Sequence, residues 1–491
     1  MNAFQKLVEH SNKVSNFRHL SSIVGWDQAA VMPSGGAEAR SNAMAELEVH
    51  IHSLMTQPHL GDLFAQAEAQ TLSASEQAVL REMKREWQQA NLLPESLVHA
   101  QSLAGSKCEH AWRSQRGNND WDGFEKNWAE VVKLSQEEAQ IRGEAAGSTP
   151  YDAMLDIYEP GTTSASLDTL FADVKTWLPS LIDEAIEKQK HNNILLPSGH
   201  YPTDKQKALG LEVMKLLQFN FEHGRLDESV HPFCGGVSTD VRITTRYDEN
   251  EFVQSLMGIV HETGHARYEQ GLPQSLAGTP AGEARSMGIH EAQSLFFEMQ
   301  LGRSEAFVDH LARLAANHFQ GAEFEQENLS KIYTHVNKGF IRVDADELTY
   351  PAHVILRYEI ERDLMNGAIK HTDVPELWNE KMKAYLGLST EGNYKNGCLQ
   401  DIHWTDGSFG YFPSYTLGAM YASQFMAAMK QTVDVDAAIR SGDLSPVFTW
   451  LADNIWSKGS LLTTDELVSQ ATGEVLNAKH FKAHLENRYL G

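Results

Sequence analysis

Helical periodicity is the strongest constraint on this chain. Apolar residues recur at three- and four-residue intervals over 36–55, 74–91, 123–146, 166–189 and 203–221. That spacing lays an apolar stripe along one face of an α-helix. Ser73 stands three residues before Glu76, the capping-box spacing, and Thr203 precedes a run rich in Lys, Gln and Ala. No internal repeat, low-complexity tract or long Pro/Ser linker interrupts the pattern. The chain has 491 residues, 42% of them hydrophobic, enough for a large core. It reads as a mainly α protein forming one unit, 1–491. A softer division lies near residue 225, separating a helical N-terminal part (1–225) from a motif-bearing part (226–491).

Just past that division the pattern changes. In Asp240–Tyr247, Val241, Ile243, Thr245 and Tyr247 alternate with Arg242, Thr244 and Arg246, the period of a half-exposed strand. Gly235 and Gly236 are expected to turn the chain just before it. Asp248 resembles a helix N-cap with Glu251 as its capping-box partner. Within the helix that follows stands His261-Glu-Thr-Gly-His265, an HExxH pattern. On a helix the two histidines, four apart, project from one face about one turn apart and can clamp a single metal ion. Glu262, one residue on, lies about 100° round the helix. From there it can reach metal-bound water and take its proton without becoming a ligand. A strand directly before such a helix is where zinc peptidases present an edge to a substrate backbone.

A catalytic zinc site needs a third protein ligand and an open fourth position. Two carboxylates are candidates. Glu283 lies in a Gly/Pro/Ala-rich stretch that reads as loop, whereas Glu291 lies in Ser286–Glu298, which reads as a second helix. A ligand on a helix is held more firmly, which favours Glu291, but spacing alone does not choose. His290, its neighbour, is placed to support a ligand or simply to pack.

Bulk properties narrow the partners. Lys and Arg total 41 against 66 Asp and Glu, a net charge of −25. Nucleic acid, which needs a basic footprint, is not expected as a partner. No uninterrupted apolar run is long enough to span a bilayer, and Met1–His19 lacks a signal-peptide core, so no membrane association is expected. Cys108, Cys234 and Cys398 are odd in number and far apart, which fits a reducing cytoplasm rather than a disulfide framework.

Several short motifs, in order, carry a family resemblance. They are His231-Pro-Phe233, Asp240-Val-Arg-Ile-Thr244, His261-Glu-Thr-Gly-His265, His290-Glu-Ala-Gln293, Ile341-Arg-Val-Asp-Ala-Asp346 and Gly397-Cys-Leu-Gln-Asp-Ile-His-Trp404, with Trp26-Asp-Gln28 and Met32-Pro-Ser-Gly-Gly36 near the N-terminus. Together they resemble the carboxypeptidase Taq family of metallocarboxypeptidases over nearly the whole chain. Ala292, where some members carry Ser, is a mild variation. The resemblance implies a mainly α, gluzincin-type fold with a deep central groove and a small β-sheet beside the HExxH helix. It also implies a homodimer and removal of single residues from peptide C-termini. It supports Glu291 over Glu283 as third ligand beside His261 and His265, with zinc as the metal and cobalt as an alternative.

An enzyme that trims free C-termini must hold a carboxylate. A planar Arg does so bidentately. Arg342 is the first choice; its rival role is pairing with Asp344 or Asp346. Arg242 and Arg246 are alternatives, better read as structural. An oxyanion also needs a hydrogen-bond donor. In the aromatic run Phe409–Gly418, Tyr415 matches the family's catalytic tyrosine, Tyr411 is second, and His231 is a further donor. His403 and Trp404 are expected to shape the groove floor, and Asp401 to orient an imidazole. Two other readings stay open from the residues: a zinc endo- or oligopeptidase on a related helical fold, and a non-catalytic helical binding protein with a vestigial metal. Intact Glu262 argues against the second.

Overall fold

A computed structural model describes residues 1–491, with twenty α-helices and one three-stranded sheet. Local chemistry sets many of the helix starts. Ser73 and Glu76 close a reciprocal capping box at the head of the Ala74–Ala90 helix, and Thr163 and Thr463 do the same for the Ser164–Gln189 and Thr464–Thr472 helices. Helices span Ala37–Met55, Trp121–Ala146 and Thr203–Leu216, matching the periodic segments. The last is shorter than its periodicity: Gln218 takes a left-handed φ of 58°, and Phe219 is buried against the sheet instead of extending the helix.

The sheet differs from expectation in three respects. Strands β1 (Gly224–Glu228), β2 (Phe233–Val237) and β3 (Asp240–Thr245) lie in the order β1-β3-β2, β3 pairing parallel with β1 and antiparallel with β2. The strand nearest the HExxH helix in sequence is therefore central, and any free edge belongs to β1 or β2. Gly235 and Gly236 are not the turn; they lie within β2, opposite Arg242 and Val241, and Ser238-Thr239 makes the turn. Thr244 breaks the expected alternation because it is buried, with its hydroxyl bridging the backbone of His231 and Phe233.

Asp248 does not cap the HExxH helix, Val253–Gly271; it closes a turn onto Asn250. The acceptor for the first helical N–H groups is Glu251, whose carboxylate receives Val253 N at 2.6 Å and Gln254 N at 3.0 Å. The carboxylate end of the expected pair does the capping because it precedes the helix.

One core of 84 buried residues runs from Cys108 to Tyr489 and includes apolar side chains from both sides of residue 225. Its aromatic part fixes the Gly397–Trp404 region. Trp128 is fully buried, stacks on Trp404 at 5.7 Å and donates its indole N–H to the Trp404 carbonyl. Burying 150–250 Å² per aromatic at about 25 cal/mol/Å² stabilises by about 4–6 kcal/mol each. The Ala3–Ala30 helix is tied to the sheet: Ser22 donates to the Gly236 carbonyl, and Arg242 lies 4.6 Å from the centre of the Trp26 ring. No helix is long and apolar enough to cross a membrane. All three cysteines are free.

Candidate active site

Two helices cross at the HExxH motif, and glycine permits the crossing. A β-carbon on Gly264 would sit 2.5 Å from the Gln293 carbonyl oxygen and 2.6 Å from Ser294 Cα. The fourth letter of His261-Glu-Thr-Gly-His265 is thus fixed by packing against the Met287–Leu295 helix, which carries Glu291. The contact brings His261, His265 and Glu291 together, with one ligand atom from each lying within 4.8 Å of the others. Glu291 Oε2 is 3.4 Å from His265 Nε2 and 3.9 Å from His261 Nε2. Glu283 is not part of this cluster and is exposed.

The Nε2 atoms face inward because both Nδ1 atoms are occupied. His261 Nδ1 lies 2.8 Å from Glu298 Oε2. His265 Nδ1 lies 2.6 Å from His290 Nδ1, and His290 Nε2 lies 2.8 Å from Glu269 Oε1. Two imidazole nitrogens and one carboxylate oxygen, each imidazole held from behind, are a donor set that could hold a divalent metal ion with a position left open. The three side chains keep between 14% and 22% of their surface, so the metal position opens toward solvent. Glu262 is buried beside them, and burial pushes its carboxyl up to about 7.

A second cluster is assembled by the Gly397–Tyr415 segment. Arg342 is buried and pairs not with Asp344 or Asp346 but with Asp401, Nε to Oδ1 at 2.9 Å. Arg357, fully buried, takes the other oxygen of Asp401 at 2.7 Å through Nε. Asp401 therefore joins two guanidinium groups and does not orient an imidazole, since its two oxygens are already committed. Arg342 also donates from Nη1 to Tyr350 Oη at 2.6 Å and from its backbone N–H to Gln400 Oε1. Its Nη2 makes no hydrogen bond within the protein.

Tyr415 packs against this group, its ring centre 4.9 Å from the Arg342 guanidinium, and its hydroxyl lies 3.2 Å from His403 Nε2. Tyr411 packs edge-on against Tyr415 at 5.3 Å. Burial, reinforced by Tyr411 and Tyr350, holds the Tyr415 hydroxyl well above the usual phenol range, so it stays a donor. Burial lowers the His403 imidazole to about 4 and keeps it neutral, with Arg342 adding to the shift. Gly418, on the same helix as Tyr415, packs directly against Glu291, which places the two clusters side by side. Trp404 lies beneath, buried, its indole N–H donated to Glu361.

His231 is exposed before β2, and only its carbonyl is bonded, by Thr244. Arg242 is engaged by Asp240 and Trp26, and Arg246 is exposed. Sequence reasoning missed Glu269, Glu298, Tyr350 and Arg357. Glu298 had a signal: it lies seven residues after Glu291, two helical turns on, so both reach the same neighbour.

A histidine pair and a glutamate on crossing helices, with a buried carboxyl alongside, define a metal-dependent peptidase. The carboxypeptidase Taq (M32) metallopeptidase family model matches residues 6–489. The chain belongs to that family and is a metal-dependent carboxypeptidase, which removes the endopeptidase and binding-protein alternatives. It is 36% identical to thermostable carboxypeptidase 1 of Thermus thermophilus, covering 99% of this chain and 98% of that protein. It is 34% identical to carboxypeptidase 1 of Bacillus subtilis over 97% and 96% of the two chains. Among solved structures, Trypanosoma cruzi metallocarboxypeptidase 1 is 47% identical with a TM-score of 0.98, covering 100% of this chain and 99% of that one.

Proposed function

We propose that this carboxypeptidase uses zinc held by His261, His265 and Glu291, and that Arg342 anchors the terminal carboxylate of its peptide substrate. The observation that carries the second part is a charge imbalance. Two buried guanidinium groups, Arg342 and Arg357, share one carboxylate, Asp401. Burying an unbalanced charge is costly, and a substrate carboxylate at the free Nη2 of Arg342 would complete the pairing.

Bound zinc would supply Lewis acidity and acidify water at its open position. Cobalt suits the same donor set. Glu262 takes a proton from the attacking water and returns it to the departing amine. The Tyr415 hydroxyl donates to the carbonyl oxygen as negative charge develops there, and His403 orients that hydroxyl. Tyr411 lines the substrate side of Tyr415. His231 joins these donors only if the sheet closes toward the metal cluster, because its imidazole is exposed and unbonded here.

The 491 residues act as one catalytic unit in this proposal, supported by the core that crosses position 225. The protein works as a cytoplasmic homodimer without nucleic-acid or membrane partners. The net charge of −25 and the free cysteines support the solution state and compartment.

Mass spectrometry of digests of matched free-acid and amidated peptides, with metal analysis of the same sample, tests the reading. Single residues should leave free-acid peptides only, with about one zinc per chain. Equal cleavage of both peptides would remove the Arg342 assignment.

A further inference from the structure

The two histidines are backed by different chemistry. Behind His265 stands another imidazole, His290, relayed to Glu269. Behind His261 stands a carboxylate, Glu298, which is itself gripped by a half-buried cation: Arg303 Nη2 lies 2.6 Å from Glu298 Oε1. Arg303 also donates from Nη1 to the Tyr333 carbonyl at 3.1 Å, which fixes the guanidinium plane.

The backbone around Glu298 is equally specific. The Glu291 helix continues without a break into a π-helical stretch, Phe296–Gly302. Such wide turns are uncommon and concentrate at functional sites. Here the stretch packs on the HExxH helix, where a β-carbon on Gly302 would fall 3.1 Å from Met257 Sδ and 3.2 Å from Val260 Cγ1. Glu291 and Glu298 thus reach His261 from one continuous helical segment, the first toward Nε2 and the second at Nδ1.

We infer that Glu298 and Arg303 are a positioning pair for His261. Ligation through Nε2 requires the proton of a neutral imidazole to sit on Nδ1. Glu298 Oε2 accepts that proton's hydrogen bond, fixing the tautomer and the ring plane and raising the basicity of Nε2. Arg303 holds the other oxygen, Oε1, and so stops the carboxylate from turning toward the metal position as a fourth ligand, which would close the open position. Neither residue touches substrate or metal.

This inference rests on His261 being a ligand, and metal binding by the intact full-length protein tests both. Zinc affinity is measured by competition with a chromophoric chelator, and the cobalt(II) form is read by its visible spectrum. The parent should bind one metal, and His261→Ala should bind none tightly; failure here refutes the ligand assignment itself. Glu298→Gln, which keeps shape, should weaken zinc binding about 10- to 100-fold and shift the cobalt band. Arg303→Met should weaken it too, and Arg303→Lys should recover part of the loss. In the Glu298→Gln background, Arg303→Met should have little further effect on affinity, since its route to the metal is gone. Parental zinc affinity and an unchanged cobalt spectrum in Glu298→Gln would overturn the inference. So would an Arg303 effect that persists undiminished in that background. Should Arg303→Met fail to fold, Glu298→Gln and Arg303→Lys decide the matter alone.

Discussion

Gly418 lies so close to Glu291 that a β-carbon on it would sit 2.7 Å from Glu291 Cγ and 2.8 Å from Glu291 Cβ. The Pro413–Met429 helix, which also carries Tyr415, therefore sets how far Glu291 can retreat from the histidines. Gly418→Ala should push the carboxylate off its position. We expect a loss of about 1–3 kcal/mol in stability from overpacking, together with weakened metal retention. Metal content after dialysis, paired with thermal melting, checks both. An alanine variant with full metal content and an unchanged Tm would show that the crossing tolerates what the geometry forbids.

Glu262→Gln retains shape and removes the base. Turnover should fall by at least about 100-fold, while metal stays near one equivalent. Steady-state kinetics and metal analysis on one preparation measure the split.

Replacing His261, His265 or Glu291 by alanine should each strip the metal, and Glu283→Ala should not. Glu283 is exposed and stands outside the cluster. Loss of metal from the Glu283 variant with retention in Glu291→Ala would reverse the ligand assignment.

Arg342→Ala should cost about 2–5 kcal/mol in kcat/KM for free-acid peptides, because their carboxylate is then desolvated without a partner. Metal content should not change. Arg342→Lys should restore only part, since an ammonium lacks the planar fork. Asp401→Asn is expected to act differently. It leaves the buried Arg342 and Arg357 facing each other without their shared carboxylate, and stability should fall by about 3–5 kcal/mol, read by denaturant unfolding.

Glu361 gives a pH dependence of stability. Its carboxyl is fully buried and accepts from Trp404 Nε1 at 2.7 Å and Gly410 N at 3.1 Å, with no cation bonded to it. Burial pushes it up to about 8 from an ordinary value of 4.5. Between those values the folded protein holds a proton that the unfolded chain has released. This contribution to stability is therefore complete below about pH 4.5 and is lost as the pH rises toward 8. Glu361→Gln should flatten that fall. Melting curves from pH 5 to 9 for parent and variant test the sign, and parallel curves would refute it.

The helices were legible because their signals are local. The Ser73–Glu76 capping box and the long apolar periodicities need no knowledge of the rest of the chain. His261 and His265 were legible for the same reason, four residues apart on one helix. The fall of the sheet was not, since the order β1-β3-β2 depends on which neighbours pair, and a strand's alternation does not say whether it is central or at an edge. The role of Asp401, expected to orient an imidazole, was hidden for the same reason: its partners, Arg342 and Arg357, are distant in sequence, and nothing local marks them. Glycine at 264 and 418 carries packing information that only the crossing of two helices reveals.

That crossing has a consequence for synthesis. The histidines emerge just past the middle of the chain, and the backstop for Glu291 at Gly418 follows roughly 150 residues after them, on the order of 10 s at the ribosome. Until then Glu291 lacks the neighbour that limits its retreat from the histidines. A nascent chain thus carries two metal-seeking imidazoles before it carries a peptidase.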